Sequence, residues 1–155
     1  MKSALIIFAL FAGSMVGPAS AISNAELSLG GVALGDSETR VSALLGKAPR
    51  QTDTGEGVAH QYAGLTVLIG WVEHRALGKQ RRVLQLTATG PNTCTPSGIC
   101  PGSLASKAIA NYGQPFRAKR ESGSVLEYYS TQSSCWLQLV TSGNTIRTIS
   151  AVCQP

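Results

Sequence analysis

Apolar residues recur at helical spacing in two short stretches of the chain. In the first, "GDSETRVSALLGKAP", Val41, Leu44 and Leu45 follow the i, i+3, i+4 pattern of a helix with one apolar side. The second stretch, "GSLASKAIANYGQP", carries a similar stripe of Leu104, Ala108 and Tyr112. Each stretch ends in Gly and then Pro, which stop a helix, so the pattern predicts two helices of about ten residues. Their predicted N-caps are Asp36 and Ser103.

Three runs rich in β-branched, aromatic and leucine residues follow each predicted helix. After the first helix they read "GVAHQYAG", "LTVLIGWVEH" and "RRVLQLTAT", and after the second "SVLEYYS", "CWLQLVT" and "TIRTISAVC". Gly-containing breaks separate them, as is typical of short antiparallel strands. The chain therefore predicts an α+β fold of two tandem repeats. Each repeat is a helix followed by an antiparallel meander, with the helices packed on one face of the sheet.

Internal similarity sets the predicted repeat boundaries. A shift of 67 positions carries Gly35 to Gly102, and a shift of 65 carries Trp71 to Trp136. We predict a first repeat over residues 22–93 and a second over residues 94–155, packed as one globular unit because each half alone is marginally small.

Period-two alternation assigns the strand faces. In the second repeat Leu137 and Leu139 share a side with Cys135, and this side is predicted to face the helices. The equivalent positions of the first repeat are then Val72, Leu84 and Leu86. The opposite, open face would carry Trp71, Glu73, Arg75, Gln85, Trp136, Gln138 and Ser150.

Two tryptophans on one open face suggest a partner-binding surface. Tryptophan and arginine dominate binding hot spots, so the candidate site has Trp71 and Trp136 as anchors, with a polar and basic rim. The predicted rim consists of Glu73, Arg75, Arg81 and Arg82. The alternative stays open, because "LTVLIGW" is apolar at nearly every position and a strand buried on both faces would place its Trp in the core.

The N-terminus and the cysteines indicate export. Residues 1–21 read as a signal peptide, with Lys2 before an apolar run and cleavage predicted after Ala21. No other stretch is long and apolar enough to predict a transmembrane helix. The protein is thus expected in the periplasm or outside the cell.

Four cysteines follow the predicted cleavage point, and in an oxidising compartment they predict two disulfides. Of the three possible pairings, spacing favours Cys94 with Cys100 across a Pro-Ser-Gly turn and Cys135 with Cys153 across a hairpin. A zinc site is the alternative, but paired C-x-x-C spacing and nearby histidines are lacking.

Charge limits the classes of partner. Formal net charge is +5 and only 14% of residues are charged, which argues against nucleic-acid binding. Basic residues cluster in "RALGKQRR" and in "RAKR", where Arg117, Lys119 and Arg120 follow the second helix. One interpretation is solvated turns that discourage aggregation. The other is an electropositive rim that weakly binds an anionic envelope polymer.

Motifs of enzymes and cofactor sites are absent from the sequence, which lacks G-x-S-x-G, H-E-x-x-H, C-x-x-C and a phosphate loop. The two histidines, His60 and His74, have no nucleophile and carboxylate at a recognisable spacing. We expect no enzyme activity, no cofactor and no metal. A hydrolase with an unrecognised site around a histidine is the remaining alternative.

The helix motifs also carry a family resemblance. With "LGDSETRVSALLGKAP" and "PGSLASKAIANYGQP" ahead of the meanders "GLTVLIGWV" and "CWLQLVTSGNTIRTISAV", the chain resembles the secreted beta-lactamase inhibitory protein family and the related small outer-membrane assembly lipoproteins. The resemblance implies an extracytoplasmic protein-binding module. It covers nearly all of the chain after the signal peptide and concerns fold more than function.

These features together predict an exported envelope protein that binds another envelope or secreted protein, as an inhibitor-like module, through its open sheet face. The alternative function is a structural envelope factor that binds an anionic polymer through its basic turns. Salt dependence separates the two, because binding to a polyanion weakens steeply with ionic strength.

Overall fold

A computed structural model describes residues 20–154. The predicted signal peptide, residues 1–21, lies outside the described residues except for its last two positions. Where the description begins, the Ser20 amide donates to the Gln114 carbonyl at 3.2 Å. The Ile22 amide donates to the Tyr129 carbonyl at 3.0 Å, so the chain is already paired with the sheet at this point.

Both predicted helices and all six predicted strands are present, together with four additional short strands. Two of these form a separate two-stranded sheet, and two lie at the edges of the main sheet. The helices are α1 (Glu38–Leu45) and α2 (Ala105–Tyr112), and one turn of 3-10 helix covers Asn24–Glu26. The strands are β1 (Ser28–Leu29), β2 (Val32–Ala33), β3 (Arg50–Asp53), β4 (Val58–Tyr62), β5 (Leu65–His74), β6 (Gly78–Ala88), β7 (Phe116–Arg120), β8 (Gly123–Tyr129), β9 (Cys135–Ser142) and β10 (Thr145–Cys153).

One antiparallel sheet of eight strands organises the fold, in the order β3-β4-β5-β6-β10-β9-β8-β7. Both helices pack on one face of it, around a single apolar core. The predicted α+β class with a large antiparallel sheet is therefore confirmed. The edge strands β3 and β7 were not predicted, because their sequences "RQTD" and "FRAKR" are mostly polar and lack an apolar alternation. Charged side chains on an edge strand discourage pairing with other chains.

Both helices begin one residue later than predicted. The Oγ of Ser37, not Asp36, caps α1 by accepting the Arg40 amide at 3.2 Å. Asp36 instead accepts the Ala33 amide at 2.9 Å and so ties β2 to the helix. At the second helix Leu104 is the N-cap residue and contributes no side-chain cap.

The helix ends were predicted correctly. Gly46 and Gly113 stop α1 and α2 with φ of 75° and 83°, a left-handed conformation that favours glycine.

The two halves of the described chain share three hydrogen-bond arrangements. In each half, the amide of a glycine before the helix donates to the carbonyl of a strand residue. The amide of that strand residue donates in return to the carbonyl of the residue that follows the glycine. A tyrosine hydroxyl then donates to the carbonyl of the helix-stopping glycine. In the first half these are Gly35 to Val83 at 2.9 Å, Val83 to Asp36 at 2.9 Å and Tyr62 to Gly46 at 3.1 Å. In the second half they are Gly102 to Ile146 at 2.7 Å, Ile146 to Ser103 at 2.9 Å and Tyr128 to Gly113 at 3.1 Å.

Strand faces follow the prediction in the second half and differ from it in the first. Leu137, Leu139, Ile149 and Ala151 are fully buried toward the helices, as expected. In β5 the buried positions are Leu65, Val67 and Ile69, so Trp71 and Glu73 lie on the helix side by alternation. Val72 and Leu84, predicted to face the helices, lie on the opposite face. The prediction that Trp71 and Trp136 share the open face is wrong.

An odd-numbered shift in the predicted alignment explains the reversal. Val67 pairs with Leu86 in the first half, and Leu139 pairs with Ile149 in the second. Val83 and Ile146 correspond to each other because they make the same hydrogen bonds to the segment before the helix. Along each pair of strands, the two pairs named above lie two residue pairs beyond Val83 and beyond Ile146, so they correspond as well. The shift between Val67 and Leu139 is 72 positions rather than 65. Because side chains alternate with a period of two, replacing an even shift by an odd one exchanges the two faces of the strand.

Two disulfides are present, joining Cys94 to Cys100 and Cys135 to Cys153, the pairing that spacing favours. The second joins directly opposite residues of β9 and β10. Stable disulfides require an oxidising compartment, and the protein is periplasmic or secreted. Within residues 20–154, neither helix is long and apolar enough to cross a bilayer.

Close backbone contact fixes the loop before β4 against the open face of β5. A Cβ on Gly70 would lie 2.6 Å from the Glu56 carbonyl oxygen and would also overlap the side chain of Leu84. Only glycine at this position lets the loop lie directly on the strand. The loop in turn supplies Glu56 to the region described below.

Replacing Gly70 with alanine should destabilise the protein by about 2 kcal/mol, because the backbone oxygen of Glu56 must move. Gly55→Ala, in the same loop, is the matched control, since a Cβ there meets no atom within 4 Å. Urea unfolding of the oxidised proteins measures the difference. Equal stability of the two variants would contradict the described contact.

Alkaline pH should also destabilise the fold through Tyr128. Burial raises the pKa of this phenol to about 12. The neutral phenol is therefore favoured in the folded state, so stability is full below about pH 10 and falls by about 1.4 kcal/mol per unit as pH rises toward 12. Tyr128→Phe should reduce this slope in unfolding measured across that range. A slope unchanged by the substitution would contradict the assignment.

Candidate central cleft

The sheet is incompletely joined at its centre, where its two halves meet. β6 has eleven residues but pairs with β10 only at Leu86, Thr87 and Ala88. The next part of its inner edge is occupied by the chain before α1, since Ser37 forms an antiparallel bridge with Arg82. Among the described residues, no strand pairs with the remaining inner edge of β6, residues 78–81. The end of β10 diverges from β6 and leaves a gap.

A cleft of about 790 Å³ occupies this gap and continues onto the open face of the sheet. This volume lies within the range of ordinary ligand sites. Its lining comes from β5, β6, the end of β10 and the N-terminal segment. The apolar part of the lining consists of Leu27, Leu34, Leu68, Val72, Val83, Leu84, Val152 and the disulfide of Cys135 and Cys153.

Few ionisable side chains reach the cleft, and they come from different elements. The lining includes the guanidinium of Arg82, the carboxylate of Glu56 and the imidazole of His74. Arg82 donates to the Gly35 carbonyl at 3.3 Å and also to the side chain of Gln80, which fixes its position on the wall. The His74 Nδ1 accepts the Ala76 amide at 3.3 Å, within its own turn.

The chemistry of the cleft follows from its lining residues. The lining contains no Ser, Cys or Lys paired with a base, and both of its cysteines are in a disulfide. In residues 20–154, no group of three or more His, Cys, Asp and Glu side chains is placed to hold a metal ion. Apolar walls with a few convergent polar groups are typical of a site that recognises a ligand.

Beyond the cleft, the hairpin of β5 and β6 extends as an arm, defined here as residues 71–82. Trp71 is 63% exposed on the helix side of this arm. The Arg81 guanidinium lies 5.6 Å from the centre of its ring, and the Arg81 Nε lies 2.7 Å from the Glu38 carboxylate. The contacts of Arg81 with Trp71 and with Glu38 therefore attach the base of the arm to the start of α1.

Trp136 lies in a different environment, on the open face of the second half. Its ring stacks on Tyr129 at 5.6 Å between ring centres, and its buried Nε1 has no hydrogen-bond partner. The adjacent Glu127 carboxylate is fully buried between the Arg120 guanidinium at 2.8 Å and the Tyr129 hydroxyl at 2.6 Å. The hydrogen bond to Glu127 raises the pKa of Tyr129. Trp136 is thus packed into a polar and aromatic cluster.

The predicted site residues are not brought together as one surface. Of the six, only Arg82 lines the cleft. Trp71, Glu73, Arg75 and Arg81 lie along the arm, and Trp136 lies in the other half of the sheet. His60 is buried, with its Nε2 3.8 Å from the Glu38 carboxylate, and is separate from the cleft.

Leu68, Leu84 and Val152 were missed as site residues. The sequence did contain a signal, since "LTVLIGW" is apolar at nearly every position and so predicts burial on both strand faces. Leu68 is one of the residues on the second face. Sequence alone did not show that this second apolar face borders an open cleft.

Comparisons with known proteins identify related folds but no family. No protein-family model and no curated protein matches the chain. Among solved structures, an extracellular protein containing an SCP domain from Bacillus anthracis str. Ames matches with a TM-score of 0.52 at 13% identity, over 94% of this chain and 50% of that chain. A cysteine-rich secretory protein from Staphylococcus aureus subsp. aureus Mu50 matches with a TM-score of 0.53 at 10% identity, over 85% of this chain and 48% of that chain.

The chain thus spans about half the length of the solved structures that it matches. At these identities the likeness shows the fold alone. The predicted resemblance to the beta-lactamase inhibitory protein family and the assembly lipoproteins is wrong, because the structural neighbours are SCP-domain and cysteine-rich secretory proteins.

Proposed function

We propose that this exported protein is a non-enzymatic binding module that takes an extended segment of another exported protein into its central cleft. The observation that carries the proposal is the free inner edge of β6 beside an apolar cleft. A free strand edge offers backbone donors and acceptors, and apolar pockets beside it select side chains. The cleft opens onto the sheet face, where a partner has access.

The edge of β6 already accepts a strand of this chain. Val83 exchanges hydrogen bonds with Gly35 and Asp36, so its backbone groups point away from β5. By alternation the backbone groups of Arg81 and Lys79 point the same way. An incoming segment would continue the pairing that residues 35–37 begin, with alternate side chains on the open face beside Gln80 and Val72.

Binding of an anionic polymer through the basic turns has weaker support. Three of the candidate cations are engaged within the protein: Arg81 with Glu38, Arg120 with Glu127, and Arg82 with the Gly35 carbonyl. Such contacts reduce the charge available to a polyanion. The apolar cleft also has no role in that function.

The shared hydrogen bonds also support a proposal about the origin of the cleft. We propose that residues 22–93 and 94–155 are copies of one helix-and-meander unit, and that the cleft is the seam between them. The matched bonds of Val83 and Ile146 support this interpretation. Each copy lays its pre-helical segment on the edge of its own last strand.

An apolar dye should report the free cleft. We expect anilinonaphthalene sulfonate to bind the folded protein, and Leu84→Gln to weaken binding about tenfold by removing one buried apolar contact. Leu104→Gln, at an exposed leucine on the helix side, is the control. Dye titration with unfolding curves of each variant makes the measurement. Equal affinity for both variants would contradict an accessible apolar cleft.

Site-specific photo-crosslinking tests the proposed partner. We would place benzoylphenylalanine at position 84, in the cleft, and in a separate variant at position 104, on the opposite side. Both proteins would be exported in the native host and irradiated. A defined segment of one exported protein should crosslink at position 84 and not at position 104.

The crosslinked segment would then be synthesised as a peptide. It should bind the wild-type protein and displace the dye, with affinity reduced about tenfold or more by Leu84→Gln. Crosslinking to the same proteins from both positions, or a peptide that leaves the dye bound, would overturn the proposal.

A further inference from the structure

The arm is uncovered on both of its faces. Every residue from 71 to 79 is exposed, although Leu65 to Ile69 of the same hairpin are largely buried. β4 pairs with β5 only up to Ile69, so the hairpin continues beyond its neighbour. The arm therefore extends from the body as a two-stranded element with only its base attached.

Exposed apolar side chains are concentrated on this element. Trp71, Val72 and Leu77 are among the seven large apolar residues exposed in residues 20–154. Leu77 lies in the turn and is 61% exposed. A single exposed apolar residue needs no explanation, but three on one projecting hairpin are typical of a surface that contacts another molecule or a membrane.

Cations flank this apolar tip. The arm has four basic residues and one acid, Glu73. Arg81 and Arg82 are held at the base of the arm by Glu38 and by the Gly35 carbonyl. Arg75 and Lys79 border the turn on either side of Leu77 and form no ion pair among the described residues.

We infer that the arm docks on the surface of an anionic phospholipid bilayer, with Leu77 entering the headgroup region and Arg75 and Lys79 contacting lipid phosphates. Trp71, three strand pairs back from the His74–Gly78 pair that closes the turn, would lie at the water interface, where indole rings are favoured. Basic residues beside an inserted apolar group add electrostatic attraction to anionic lipid. The tip of the arm, residues 75–79, contributes no side chain to the cleft, which favours a soft lipid surface over a folded protein partner at this end.

Vesicle binding tests the inference with the full exported protein. The probes are vesicles of equal parts phosphatidylglycerol and phosphatidylcholine, and vesicles of phosphatidylcholine alone. We expect sedimentation with the anionic vesicles, weakened by high salt and much weaker with the neutral ones. Leu77→Ser should reduce the partition coefficient about tenfold, and Arg75→Gln with Lys79→Gln by about tenfold or more.

Matched variants separate the arm from general charge and stickiness. Arg117→Gln with Lys119→Gln removes the same charge from β7, and Leu104→Ser removes an exposed leucine from the helix side. Both should change vesicle binding by less than about threefold. Vesicles containing brominated lipid should quench the fluorescence of the wild-type protein more than that of Trp71→Phe.

Absence of binding to anionic vesicles would overturn the inference, as would equal losses in the arm and control variants. Unchanged quenching in Trp71→Phe would likewise exclude insertion by the arm. Leu77, Arg75 and Lys79 do not line the cleft, so peptide capture by the cleft can fail or succeed independently of these results.

Discussion

The contact between β6 and β10 determines the architecture of this protein. Three residue pairs, Leu86 with Ala151 through Ala88 with Ile149, join the two halves of an eight-stranded sheet. Residues on the helix side of this junction are fully buried, so the core is continuous although the backbone pairing is short. Beyond the junction the chain before α1 takes the edge of β6. The sheet is thereby one unit with a cleft at its centre.

Local chemistry made much of the fold predictable. Gly46 and Gly113 ended the helices where expected because a left-handed residue after an apolar stripe is a strong stop signal. The cysteine spacing led to the observed disulfides for a similar reason, since a tight turn and a hairpin each bring their ends together. The polar edge strands β3 and β7 had no such signal, because an edge strand needs no apolar face.

The predicted site failed because the face of β5 was taken from an alignment between the two halves. Trp71 continues the alternation of the buried residues Leu65, Val67 and Ile69. The irregularity beside Ile69 places its extra residue, Leu84, in β6 and leaves the alternation of β5 intact. The alignment matched Trp71 to Trp136, a shift of 65 positions, whereas the matching strand positions differ by 72. Because side chains alternate with a period of two, the odd shift assigned the residues of β5 to the wrong face. The cleft was even less accessible to prediction, because it depends on where two strands stop pairing.

The proposed functions use different parts of the same hairpin. Its inner edge and the face bearing Val72 border the cleft, while its tip carries Leu77 between two cations. A module with this arrangement could hold a partner's segment close to a membrane surface. The disulfide between Cys135 and Cys153 supports the opposite wall by fixing the end of β10 to β9.

Amide hydrogen exchange at β6 tests the central claim most directly. In the free protein, the Arg81 amide should exchange rapidly, while the Val83 amide is protected by its bond to Asp36. Adding the peptide identified by crosslinking should protect Arg81 and leave Val83 unchanged. A strongly protected Arg81 amide in the free protein, or one that stays unprotected with the peptide bound, would contradict the account of a free strand edge that receives a partner.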